Sequence, residues 1–144
     1  METARVTILG AAGATARVEL PLYGCRVAAG FPSPADDYIE GKLDLNELLV
    51  SNPSATFFVR VTGESMTGAG ILPSDILVVD RSVAATHGRV VIAVLDGELT
   101  VKRFTRVSGQ VVLQAENPAF EPIIPSGDSE LTIWGVVTGV VREL

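Results

Sequence analysis

Three residues of this 144-residue chain stand where their types could do chemistry. Ser65 lies in "VRVTGESMTGAG", with Gly63, Gly68 and Gly70 around it. A serine at a tight strand exit can expose its hydroxyl, and nearby backbone N–H groups can hold an oxyanion. The competing reading is an ordinary glycine-rich loop. Lys102 lies in "GELTVKRF". Strand alternation sets Leu99, Val101 and Arg103 on one face and Thr100, Lys102 and Phe104 on the other. Strand lysines usually face solvent, and at pH 7 a free lysine is neutral in only about one molecule in 2,500. An apolar pocket changes this. Lowering the pKa by about 3 units costs roughly 4 kcal/mol and makes the amine a general base for a serine. His87, in "ATHGRVV", could fill the same role. A His-Gly pair before a strand reads more simply as a turn.

The elements that must position these residues are mostly strands. After Ser54 the runs "ATFFVRVTG", "DILVVD", "GRVVIAVLDG", "ELTVKRFTRV", "QVVLQAE" and "LTIWGVVTGVV" are rich in Val, Ile, Thr and aromatics. Gly, Pro, Asn and Asp separate them, and Asp96-Gly97 is a hairpin signal. The expected fold is mainly β: a small, highly curved sheet or partly closed barrel. One short helix is expected from Asp44 to Val50, with Asp44 as N-cap, Glu47 three residues on, and Leu45, Leu48 and Leu49 on one face. Residues 1–40 read as an extended arm. It has one candidate strand at Ala4–Leu9, and Pro21, Gly24, Gly30, Pro32 and Pro34 punctuate the rest. Residues 41–144 read as the β domain.

Composition narrows the function classes. There are 17 Asp and Glu against 11 Lys and Arg, a formal net charge of −6. That lacks the basic footprint of a sequence-specific DNA binder. A single cysteine, Cys25, allows no intramolecular disulfide and suits a reducing cytoplasm. With one histidine, a zinc site of Cys and His is not expected, and no cofactor is implied. No apolar run approaches the roughly 18 residues of a membrane span. Val27 and Ala29 resemble a signal-cleavage pattern, but Arg17, Glu19 and Arg26 precede them where an apolar region belongs.

Several motifs, taken in order, are similar to one known family. "FPSPADDY", "LDLNELL", "PSATFFVRVTGESM", "SDILVVDRS", "THGRVVIAVLDGELTVKR", "NPAF" and "WGVV" resemble the UmuD-type SOS mutagenesis proteins. These are grouped with the self-cleaving C-terminal domains of LexA-type repressors. The resemblance covers about Ala29 to Val141, and "GESM" followed by "DGELTVKR" is its specific part. It implies a LexA-like C-terminal β fold. Ser65 is then the nucleophile and Lys102 the neutral base, with an oxyanion hole from the backbone of Ser65 and Met66. It implies self-cleavage at Ala29-Gly30 just before "FPSP", stimulated by a RecA–single-stranded DNA filament. The trimmed homodimer would then serve a UmuC-type translesion polymerase. The first 28 residues depart from the family's arm, and no helix-turn-helix precedes the cut. Two other readings stay open: a non-catalytic polymerase- or filament-binding module, and a membrane or secreted serine-lysine signal peptidase.

Overall fold

The computed structural model of the chain describes residues 3–12, 17–23 and 39–144. Nine strands form: β1 (Arg5–Ala11), β2 (Leu20–Tyr23), β3 (Ile39–Leu43), β4 (Thr56–Thr62), β5 (Ile76–Asp80), β6 (Val90–Leu95), β7 (Glu98–Val107), β8 (Gln110–Gln114) and β9 (Leu131–Val141). Helix α1 spans Leu45–Leu49. Each of the six β-rich runs after Ser54 becomes one of β4 to β9. Their branched and aromatic side chains pack well on a pleated surface and lose little rotamer freedom there.

The main sheet runs β1-β4-β5-β9-β6-β7-β8, antiparallel throughout. It curls until β1 also meets β7, at the single pair Arg5↔Thr100. The barrel is therefore closed by a thin seam, and β8 extends it beyond the ring. Hairpin turns set the register. Asp96 and Gly97 both take positive φ (48° and 84°), as do Ser108 and Gly109 (52° and 78°), the pattern of type I′ turns that match strand twist. The long strand β9 pairs with β5 on one side and β6 on the other, with a register shift in each ladder. A Cβ at Gly135 would lie 2.5 Å from Val79 Cγ1, so any other residue there would have to displace Val79 of the neighbouring strand β5.

Two apolar clusters fill the molecule. One joins Val6, Val59, Val61, Met66, Leu77, Val79, Ile92 and Val101, drawn from β1, β4, β5, β6, β7 and the Ser65 loop. The other joins Val91, Ala93, Phe104, Leu113 and Val136, with Ile123 packed against it. Strand β7 feeds both clusters, because Val101 and Phe104 leave opposite faces.

One expectation needs correction. The helix is capped as its sequence predicts: Asp44 accepts from the Asn46 and Glu47 N–H groups at 2.8 and 3.4 Å. But Leu45 and Leu48 are exposed, so a helix this short does not bury the leucine face. Only Leu49 reaches in, beside Gly139. In the N-terminal stretch, the strand expected at Ala4–Leu9 forms as Arg5–Ala11. β1 is a barrel strand, and β2 pairs with β3 as a separate two-stranded sheet. Cys25, Ala29, Gly30, Pro32 and Pro34 lie outside the described residues.

Candidate active site

Ser65 follows β4 across Gly63, whose φ of 83° turns the chain sharply out of the strand. Met66, fully buried, plants its side chain in the barrel core and anchors the loop beside the serine. A short 3-10 turn, Thr67–Ala69, follows. The loop is held from outside by the segment after β8. The Glu116 N–H donates to Ser65 O at 2.9 Å, and the Gly68 N–H donates to Glu116 O at 2.7 Å. Asn117 Nδ2 donates to Glu64 O at 2.9 Å. Glu116 is in turn ion-paired with Arg103 of β7, which also donates to Gly88 O at 2.6 Å. At Gly68 a Cβ would sit 2.5 Å from Glu116 O, so this approach requires glycine.

Lys102 rises from β7 opposite Val91. It is only 1% exposed, the largest fully buried side chain described. Its Nζ donates to Ser65 Oγ at 2.6 Å and to Thr3 Oγ1 at 2.8 Å. Ser65 is fully buried too. No salt bridge to Lys102 occurs among the described residues, so two neutral hydroxyls, and no described carboxylate, face its charge in place of water. Burial accordingly pushes its pKa down to about 8. At pH 7 about one molecule in ten then holds a neutral amine, against one in thousands for a free lysine. A neutral amine 2.6 Å from a hydroxyl can accept its proton.

Ser65 and Lys102, 37 residues apart, are thus brought together. The Ser65 and Met66 N–H groups find no acceptor among the described residues. His87 is not brought in. It is exposed in the turn before β6, and its Nδ1 accepts the Arg106 N–H at 2.9 Å. Reading residues for chemistry missed Glu116 and Asn117, which position the serine loop. Asn117 opens the "NPAF" motif and Glu116 precedes it, but only their contacts with the loop reveal the role. It also missed Thr3 and Ala4, which touch the serine across more than 60 residues of sequence. Among the described residues no group of side chains is arranged to hold a metal ion, and no helix is long and apolar enough to cross a membrane.

The small β-barrel thus buries a serine hydroxyl against a lysine amine that has no ion-pair partner among the described residues, an arrangement with the chemistry of a peptidase site. Comparison with known proteins agrees with that class. The "Peptidase S24-like" family model matches residues 21–138. The chain is 47% identical over 128 residues to Protein ImpA of Escherichia coli, covering 85% of this chain and 83% of ImpA. It is 43% identical over 135 residues to Protein MucA of Escherichia coli, covering 93% and 92%. It is 40% identical over 142 residues to the LexA repressor of Bordetella petrii, covering 98% of this chain and 62% of that repressor. The chain belongs to the peptidase S24-like family of self-cleaving serine peptidases, in its UmuD-like SOS-mutagenesis branch.

Proposed function

We propose that the chain cuts itself between Ala29 and Gly30. Lys102 takes the Ser65 proton, and Ser65 Oγ attacks the Ala29 carbonyl carbon. The Ser65 and Met66 N–H groups hold the oxyanion. The amine of Gly30 leaves with the proton returned by Lys102, and water then releases residues 1–29 from the acyl-serine. The observation that carries this reading is the 2.6 Å approach of a buried lysine amine, without an ion-pair partner among the described residues, to a buried serine hydroxyl. An activated RecA–single-stranded DNA filament would favour the state with Ala29 in the cleft, without supplying a catalytic group. The trimmed homodimer, cytoplasmic, would act with a UmuC-type translesion polymerase. Its acidic net charge of −6 suits a role through protein partners.

The test is self-cleavage of purified protein without a filament. At about pH 10, above the depressed pKa of Lys102, it should cut slowly, and mass spectrometry should find Gly30 leading the large fragment. A different new terminus refutes the site, and normal cutting by Ser65→Ala refutes the nucleophile.

A further inference from the structure

The hydroxyl that must attack Ala29 is already engaged by another part of the same chain. Ser65 Oγ accepts the Ala4 backbone N–H at 2.7 Å, and the Thr3 hydroxyl lies 3.4 Å from it. Lys102 Nζ donates to Thr3 Oγ1. The Ala4 carbonyl accepts the Thr100 hydroxyl at 2.6 Å and the Val101 N–H at 3.4 Å. From there β1 pairs with β4 from Arg5↔Thr62 to Ala11↔Phe57, and the Ala12 N–H donates to Thr56 O at 2.9 Å. Ala4 is fully buried and Val6 nearly so. Residues 3–12 are therefore bound as an added strand whose beginning sits on the serine-lysine pair.

That pose is unreactive. The peptide bond beside Ser65 presents its N–H to the hydroxyl oxygen. The donated hydrogen takes one of the two lone pairs of Oγ, and the nucleophile faces an N–H where a substrate must present its carbonyl carbon. With Ser65 at 0% and Lys102 at 1% exposure, Thr3 and Ala4 hold the place beside Oγ that a second peptide bond would need.

We propose that residues 3–11 are an exchangeable strand ligand of the catalytic groove, a pseudo-substrate that must leave before the Ala29-Gly30 bond can enter. This rests on the self-cleavage reading. The groove between β4 and β7 is thereby a site for an extended peptide. It takes a small residue at the place of Ala4 and a branched one at the place of Val6, with affinity supplied by main-chain pairing along β4. Cutting at Ala29 severs the covalent tie of β1 to the domain but leaves this pairing intact. The released fragment should remain bound as a ligand of its own product.

A reversible lock tests the exchange. Thr7 and Arg60 are exposed partners across β1 and β4. Paired antiparallel positions lie within disulfide reach, about 4.5–5.5 Å between Cα atoms. In a full chain carrying Cys25→Ala, the pair Thr7→Cys and Arg60→Cys pins β1 when oxidised. Alkaline self-cleavage should fall at least about tenfold on oxidation and return on reduction. Equal rates in both states would overturn the proposal. If the reduced chain fails to cut at any pH, the self-cleavage reading fails, and the strand site is scored by binding alone. For that, Thr7→Pro breaks β1 pairing from an exposed position, in a Ser65→Ala chain that cannot cut. A fluorescent peptide of residues 3–12 should bind it saturably, and at least about tenfold more weakly to the Ser65→Ala chain with β1 intact. No binding, or equal binding to both, would overturn the groove assignment.

Discussion

At the scale of the residue, the account turns on the protonation of Lys102. Burial lowers its pKa to about 8 in the folded chain, against 10.5 ordinarily. Self-cleavage should follow the neutral fraction, rising about tenfold from pH 7 to pH 9 and then levelling. Stability moves the same way. Between about pH 8 and 10.5 the unfolded chain holds the proton that the folded chain has released, so folding stability grows as pH rises. Below pH 8 the folded chain carries the full cost of a buried ammonium, on the order of 3 kcal/mol. Lys102→Met should therefore abolish cutting yet stabilise the protein at pH 7 by about 1–3 kcal/mol, with the gain shrinking toward pH 10. Denaturant melts at several pH values check both sign and trend. From spacing alone the serine and the lysine were each one reading among others, and the order of "GESM" and "DGELTVKR" singled them out. Alternation put Lys102 on a face but not indoors. It is buried because the barrel closes around it, and Thr3, from the far end of the chain, accepts from its Nζ.

At the scale of the element, the serine loop depends on its neighbour after β8. Gly68→Ala would set a methyl group against Glu116 O and push the loop outward. A displacement of about an ångström at a nucleophile costs about 10–100-fold in rate. Gly68→Ala should therefore slow cutting by that order while leaving the pH midpoint unmoved, which a full pH–rate profile would show. The strands after Ser54 were readable because branched residues and Asp-Gly or Ser-Gly turns act within a few positions of themselves. The place of β1 was not. Val6 and Ile8 mark a strand, but nothing local says that it closes a barrel through Arg5↔Thr100 or rests on Ser65. The leucines of α1 failed in the opposite way. Their spacing predicts a buried face, and a five-residue helix lacks the length to reach a partner with it.

At the scale of the whole molecule, the last strand is tied back to the loop before β5. Asp75, 1% exposed, accepts from Arg142 Nε and Nη2, each at 2.6 Å, and from the Leu72 N–H at 2.7 Å. The Arg142 guanidinium holds the Asp75 carboxyl below its ordinary range, with the Leu72 N–H assisting. A depressed carboxyl pKa adds stability that is present above the unfolded value and is lost as pH falls through the folded one. Arg142→Ala should therefore lower stability by about 1–3 kcal/mol at pH 7, and the difference from the parent should close in acid. Thermal melts from pH 7 downward test this.

The central claim, an amine kept neutral by burial beside a serine, is open to direct observation. The chain contains two lysines, Lys42 and Lys102, so 13C labelling at Cε yields two signals that Lys42→Arg assigns. The titration is run on the Ser65→Ala protein, which cannot cut itself during the measurement. The Lys102 signal should titrate with a midpoint near 8, because burial and not the hydroxyl sets the shift. A midpoint at about 10 or above would mean a cationic lysine at neutral pH and would contradict the account.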